Sequence, residues 1–121
     1  MGTRMKPKRQ HPEKALQKTC AEFLARALPK NAYFSSIPGG EGRATRTPGY
    51  ASGCCDIFVL YSGRFFGFEL KAKYRKPTPE QKKGAEAVRR AGGWQETIYS
   101  VKELQALLRI YDVPLRAKIS A

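Results

Sequence analysis

Apolar residues in the first third of the chain change from helical spacing to a short, dense run. From about Pro12 to Leu28 they recur at intervals of three and four, which predicts an amphipathic helix that Pro29 ends. The run from Ala32 to Ile37 predicts a short strand. The stretch that follows, Pro38 to Gly53, is rich in glycine, proline and threonine and predicts a long loop.

Two longer apolar runs lie at the centre of the pattern. Cys55 to Tyr61 and Arg64 to Ala72 are separated by Ser62 and Gly63, a two-residue connection that predicts a β-hairpin. Both faces of each run are largely apolar. This favours central strands that are covered on both sides over an open surface hairpin.

A helix, a strand and another helix are predicted in the last third of the chain. Thr78-Pro79 is a typical helix start, and Gly92-Gly93 is typical of the position just beyond a helix end. Trp94 to Tyr99 predicts a strand, and Ser100 to Glu103 is a capping box that opens a final helix. The order α-β-β-β-α-β-α predicts a protein of the α/β or α+β class.

Two acidic residues occupy related positions on the predicted hairpin. Counting outward from its turn brings Asp56 directly opposite Glu69. Side chains opposed in this way have Cβ atoms about 5 Å apart, where like charges are destabilising. Two carboxylates at this spacing suggest a cation between them, and their oxygen donors favour a hard metal ion. Lys71 projects from the same sheet face as Glu69. A metal-binding acid pair beside an ammonium group is suited to phosphodiester cleavage.

Each of these residues also has an ordinary structural explanation. A Glu-x-Lys sequence on a strand is most often a solvated ion pair, but Glu69 and Lys71 lie in a run too apolar for a solvated edge. An aspartate that starts a strand commonly bonds the turn backbone, and a bulge would shift Asp56 out of register. The pairing of the two carboxylates favours the metal site.

Two further polar residues are predicted on buried helical faces. Glu13 lies one turn before Leu16, so it points towards the core, although a glutamate there would equally complement the helix dipole. Gln81 heads the apolar face of the helix that begins after Thr78. It is either the capping-box partner of Thr78 or an amide aimed at the hairpin.

Charge indicates the class of partner. The chain has 121 residues, 41% of them apolar, and a net charge of +13, which predicts a globular protein that binds a polyanion, nucleic acid above all. We expect residues 1–10 to form a flexible basic arm, residues 11–121 a single domain, and the residues around Arg116 and Lys118 a loose basic tail. The residues expected to hold the phosphate backbone, unless they serve only solubility, are Arg43, Arg46, Lys73, Arg75 and Lys76.

Membrane and disulfide classes are disfavoured. A membrane-spanning helix needs about 20 apolar residues, and no apolar run in the sequence is close to that length. The basic N-terminus also lacks the apolar region of a signal peptide. The three cysteines, Cys20, Cys54 and Cys55, lack zinc-like spacing, and the two neighbours cannot easily pair with each other. We therefore expect reduced thiols in a cytoplasmic protein.

The ordered set of polar residues resembles the VRR-NUC branch of the PD-(D/E)xK nucleases, in its compact, free-standing bacterial and phage form. The resemblance runs from about Pro12 to Leu108. The positions that carry it are Glu13 and Gln17, Gly53 and Asp56, Glu69-Leu70-Lys71, Thr78 to Gln81, Gly92-Gly93 and Ser100 to Glu103. It implies a restriction-endonuclease-like PD-(D/E)xK core, a mixed central sheet flanked by helices. For a phage-encoded member, the location would be the host cytoplasm.

The resemblance also implies a reaction. Asp56, Glu69 and the carbonyl of Leu70 would hold Mg²⁺, with Mn²⁺ able to substitute, and Glu13 would reach the ion directly or through water. Lys71 would position or deprotonate the attacking water, and Gln81 would orient that water or Lys71. The family usually has proline directly before the metal aspartate, where this chain has Cys55. We expect activity to survive this change, although a sulfur near the site would favour zinc or oxidative inhibition.

The implied substrate is branched DNA. Free-standing members resemble Holliday junction resolvases, which need two active sites and hence a homodimer. Phosphate contacts carry no sequence information, so we expect selectivity for DNA structure. A related nuclease that acts on flaps, ends or RNA has the same signature. A non-catalytic nucleic-acid-binding protein that kept the fold fits the charge equally well.

Overall fold

The computed structural model describes residues 12–37, 51 and 53–118. The predicted arm, residues 1–10, lies outside the described residues. The elements are α1 (Pro12–Ala27), β1 (Ala32–Ser36), β2 (Ile57–Tyr61), β3 (Arg64–Leu70), α2 (Pro79–Arg90), β4 (Trp94–Ile98) and α3 (Val101–Ile110). Their order is the one predicted from the apolar pattern, and the predicted α+β class is confirmed.

The four strands form one mixed sheet in the order β1-β2-β3-β4. The β1/β2 and β2/β3 pairs are antiparallel, whereas β3 and β4 run parallel because α2 forms the crossover between them. The two-residue hairpin turn contains Ser62 and Gly63, both with positive φ, as the tight turns that match strand twist require. β2 and β3 are therefore central strands, as their apolar sequences predicted.

One sheet face carries the hydrophobic core. α1 and α3 pack over it, and alternate residues of β2, β3 and β4 point between them. The side chains buried there include Phe23, Leu24, Ile57, Val59, Phe66, Phe68, Ile98, Leu104 and Leu108. β3, the strand that carries Glu69, therefore pairs with β2 and β4 on its two edges and is covered by the core on one face.

The opposite face is only partly covered. α2 packs there against β4, with Val88 close to Gly93, but Phe58 is half-buried and Leu60 is 38% exposed. The expectation that both faces of β2 are covered is therefore wrong for this part of the strand. Its apolar residues reflect strand propensity and aromatic pairing, since Phe58 stacks on Phe65 with ring centroids 5.4 Å apart.

The C-terminal segment is attached to the domain, so the expectation of a loose tail is wrong as far as residue 118. The Arg116 amide donates to the Ala27 carbonyl, and Arg116 Nε donates to the Leu28 carbonyl at 2.8 Å. A cation at these carbonyls complements the negative end of the α1 dipole. Within the described residues, no helix has the length and apolar character needed to cross a bilayer.

Candidate active site

The hairpin register controls where the acidic residues lie. β2 and β3 pair from Tyr61↔Arg64 down to Ile57↔Phe68, which is the register counted from the turn. The ladder then departs from it, because the Asp56 amide donates to the carbonyl of Phe68, at 3.0 Å. The expectation that Asp56 continues the ladder directly opposite Glu69 is therefore wrong in this detail. Asp56 lies at a bend just before β2, as a residue displaced by a bulge does.

The Asp56 carboxylate nevertheless reaches the end of β3. Its Oδ2 accepts the Leu70 amide at 2.8 Å, a charge-assisted hydrogen bond between the two strands. The N–H group that donates to Asp56 thus belongs to the peptide that joins Glu69 to Leu70. The side chain bonds backbone, as the ordinary explanation expected, but it does so at the strand end where the second carboxylate lies.

Glu69 and Lys71 are buried. Glu69 is 3% exposed and Lys71 is 5% exposed, and the Lys71 amide extends the β3/β4 pairing by donating to Ile98 at 3.0 Å. Charged groups at this depth must be compensated by partners, because burial of an isolated charge costs several kcal/mol. The alternative of a solvated surface ion pair is therefore wrong for this Glu-x-Lys. Buried charges at a strand end are typical of a site that binds an ion or a charged substrate.

Gln81 performs both of the roles considered for it. Its Oε1 accepts the Thr78 amide at 2.8 Å, and Thr78 Oγ1 accepts the Gln81 amide at 3.2 Å, which completes the capping box of α2. Its Nε2 then donates to Glu69 Oε2 at 2.9 Å. Because the cap occupies the oxygen, the NH₂ group is the one directed at Glu69. The start of α2 thus orients the second carboxylate.

This dual role leads to a prediction for two variants. Gln81→Glu keeps the capping oxygen but replaces the amide donor with a second carboxylate against the buried Glu69, so activity should fall by about tenfold or more, and the lost donor should cost about 1–3 kcal/mol of unfolding free energy. Gln81→Ala should lose the cap contact as well, which costs about 1 kcal/mol of unfolding free energy. Thermal melts and cleavage rates check this. Equal activity of Gln81→Glu and wild type would contradict it.

Gln17, which the sequence pattern singled out without a role, is a positioning residue. Its Nε2 donates to the Asp56 carbonyl at 3.0 Å, and the same carbonyl accepts the Ile37 amide at 2.7 Å. α1 therefore clamps the backbone of Asp56 from the core side. The signal was present in the spacing, because Gln17 lies one helical turn after Glu13 on the same face.

Glu13 contacts the segment that leaves β3. Its Oε2 accepts the Ala72 amide at 3.1 Å and lies 3.4 Å from Arg75 Nη1. The glutamate thus points inward, towards the residue that follows Lys71. It does not serve only the helix dipole.

Two glycines allow the elements around the site to approach closely. Gly53 has φ +79°, and a Cβ on either Gly53 or Gly84 would overlap backbone of the other segment. Gln95 Nε2 also donates to the Gly53 carbonyl at 3.1 Å. The Gln95 hydrogen bond joins β4 to the segment that leads to Asp56, and the close approach of Gly84 places α2 against the same segment.

Cys55 is a packing residue. It is 2% exposed, and a Cβ built on Gly67 would lie 3.1 Å from its Sγ. Burial, with smaller contributions from Cys54 and Glu69, raises the pKa of the thiol to about 12.

The basic residues expected to contact phosphate divide into two groups. Lys73, Arg75 and Lys76 are exposed on the connector between β3 and α2, directly after Lys71. Arg43 and Arg46 lie outside the described residues. The connector therefore provides a cationic surface beside the buried carboxylates.

The chemistry of the donors fits a hard divalent cation. Asp56, Glu69 and Glu13 offer only carboxylate oxygens, and the Leu70 carbonyl belongs to the peptide that joins Leu70 to Lys71. Within the part of the chain that the structure describes, no three acidic, histidine or cysteine side chains form a metal-binding group. A site here would rest on two carboxylates and a backbone oxygen.

Comparisons with known proteins address the fold and the family. No protein-family model and no curated protein sequence matches the chain. A solved structure described as "VRR_NUC domain" is 27% identical, with a TM-score of 0.59, and the match covers 84% of this chain and 99% of that one. Another, described as "VRR_NUC domain protein", has a TM-score of 0.69 at 17% identity and covers 85% and 89% of the two chains. The latter supports the fold alone. The former is similar over nearly its whole length, and it bears out the predicted resemblance to the VRR-NUC family.

Proposed function

We propose that this protein is a metal-dependent DNA endonuclease that hydrolyses phosphodiester bonds in branched DNA. The likeness to solved VRR-NUC structures supports a nuclease of the PD-(D/E)xK kind. The observation that carries the proposal is the burial of Glu69 and Lys71 at one strand end, where the Asp56 carboxylate also arrives. Three ionisable side chains that converge on one strand end suit chemistry at a phosphate better than they suit stability.

Asp56, Glu69 and the Leu70 carbonyl would hold Mg²⁺ or Mn²⁺, and Glu13 would approach the ion through water. The bound ion supplies Lewis-acid polarisation of the phosphate and lowers the pKa of a coordinated water. Gln81 fixes the Glu69 carboxylate through its Nε2 donor, and Gln17 fixes the backbone of Asp56. These contacts preorganise the oxygens before the ion binds.

Lys71 provides the cationic group of the reaction. Its ammonium lies in a water-poor environment on the face that carries Glu69, where an electrostatic contact is stronger than in bulk solvent. As the ammonium it would position the attacking water and offset the charge that develops on the phosphate, whereas deprotonation of that water would require the neutral amine.

Lys73, Arg75 and Lys76 would hold the DNA backbone beside the site, together with Arg43 and Arg46. The net charge of +13 supports a long electrostatic footprint without base readout. A homodimer would place two such sites on opposite strands of a four-way junction. Both the branched substrate and the dimer are parts of this proposal.

A panel of labelled substrates tests it. Four-way, flap, linear duplex and single-stranded DNA, with an RNA of the same sequence, are incubated with the protein in Mg²⁺. We expect faster nicking of the four-way junction than of linear duplex. Preferred cutting of flaps, ends or RNA would contradict the branched-DNA part of the proposal. A mobility shift without cutting of any substrate would indicate a non-catalytic binder.

A further inference from the structure

The connector after Lys71 contains a tight turn with an unusual residue at its bend. The Arg75 amide donates to the Ala72 carbonyl at 3.0 Å, which closes a β-turn over Lys73 and Tyr74. Tyr74 has φ +72°, whereas Lys73 does not have a positive φ. These values describe a type II turn, in which the third position normally holds glycine or asparagine. A tyrosine here adopts a conformation that costs roughly 1–2 kcal/mol.

The Tyr74 ring also projects into solvent. Its exposed fraction is 87%, the highest among the large exposed apolar and aromatic side chains of the described residues. Lys73 Nζ lies 5.2 Å from the centre of this ring. A strained backbone that presents an exposed aromatic ring suggests a binding role, because packing does not compensate its cost.

Both ends of the turn are anchored. The Ala72 amide donates to Glu13 of α1, and the Arg75 side chain lies 3.4 Å from the same carboxylate. The Tyr99 hydroxyl donates to the Arg75 carbonyl at 2.9 Å. The backbone that carries Tyr74 is therefore held in place three residues along the chain from Lys71, which belongs to the proposed cleavage site.

We propose that Tyr74 stacks on an unpaired or unstacked nucleobase next to the scissile phosphate, with Lys73 contacting a neighbouring phosphate. This rests on the proposed nuclease function and adds the local state of its substrate. Base stacking on aromatic side chains tolerates any base, and a cation beside the ring strengthens it. A base that is free to stack is found at a junction, gap or loop, and it is absent from intact duplex.

Three variants distinguish the contribution of the Tyr74 ring from that of the Lys73 charge and from an effect on stability. Tyr74→Gly removes the ring and the backbone strain together, so its melting temperature should equal or exceed that of wild type. Its affinity for a junction should nevertheless fall by roughly tenfold, with an unchanged salt dependence. Tyr74→Phe should retain wild-type affinity. Lys73→Ala should instead reduce the slope of log affinity against log salt by about 1.

Junctions that lack single nucleobases identify the base that Tyr74 contacts. A set of junctions, each with one abasic site near the crossover, is bound to wild type and to Tyr74→Gly in Ca²⁺. At the contacted position the two proteins should bind equally, because the stacking partner is missing from both complexes. Wild-type affinity of Tyr74→Gly for every intact substrate would overturn the proposal. Because this experiment measures binding, it still tests the role of Tyr74 if the protein does not cleave DNA. Absence of cleavage would then contradict only the proposed nuclease function.

Discussion

Replacing Asp56, Glu69 or Lys71 with alanine is expected to abolish phosphodiester cleavage while leaving DNA binding intact. Loss of a positioned acid–base group costs about 10²–10⁴-fold in rate, and groups that act as a unit are not additive. Any one substitution should therefore remove most of the activity. Binding should persist because the exposed basic connector is separate from the buried carboxylates. Cleavage rates and mobility shifts on one junction measure both effects.

Matched controls keep this result specific. Lys102→Ala removes an exposed lysine from α3 and should leave cleavage unchanged. Asp56→Asn retains an oxygen for the Leu70 amide, so it separates loss of charge from loss of the strand contact. Circular dichroism confirms that each variant is folded. Retained cutting by a purified, folded Lys71→Ala protein would refute the assignment of Lys71.

The Gly84→Ala variant is expected to destabilise the protein and impair the site together. An alanine in a helix interior normally adds about 1 kcal/mol of stability over glycine. Here its Cβ would overlap the carbonyl of Gly53, and backbone cannot move aside as a flexible side chain does. Overpacking of this kind costs about 1–3 kcal/mol, so the melting temperature should fall by several degrees. α2 would also shift Gln81 away from Glu69, which lowers the cleavage rate.

Ala87→Gly is the matched control for this prediction. It lies on the exposed face of the same helix and exchanges the same two residues in the opposite direction. It should lose about 1 kcal/mol through helix propensity and keep full activity at temperatures where it is folded. If Gly84→Ala instead melts above wild type, the close approach of Gly53 and Gly84 is not required.

The element order and most of the hairpin register follow from local signals. The Ser62-Gly63 turn sets which residues face each other, and the period-two pattern sets which side each one occupies. Thr78 and Ser100 mark helix starts through their own capping contacts. These signals are short-range, so they could be read without knowledge of the tertiary structure.

Other features depend on contacts between distant segments. Where Asp56 leaves the ladder, its carbonyl accepts hydrogen bonds from Gln17 and Ile37, which are distant in sequence. The incomplete cover over Leu60 depends on where α2 lies on the sheet. The attachment of Arg116 to the end of α1 joins residues that are far apart in sequence. Spacing alone could not reveal these arrangements.

Single-turnover cleavage of an end-labelled four-way junction, with and without Mg²⁺, tests the central claim most directly. The account predicts nicking by the wild-type protein that rises with Mg²⁺ and stops in EDTA. It also predicts that Glu69→Gln, which keeps the side-chain shape but removes the charge, remains inactive at the same metal concentration. Equal cleavage by wild type and Glu69→Gln, or cutting that persists in EDTA, would contradict a metal-dependent nuclease site at the end of β3.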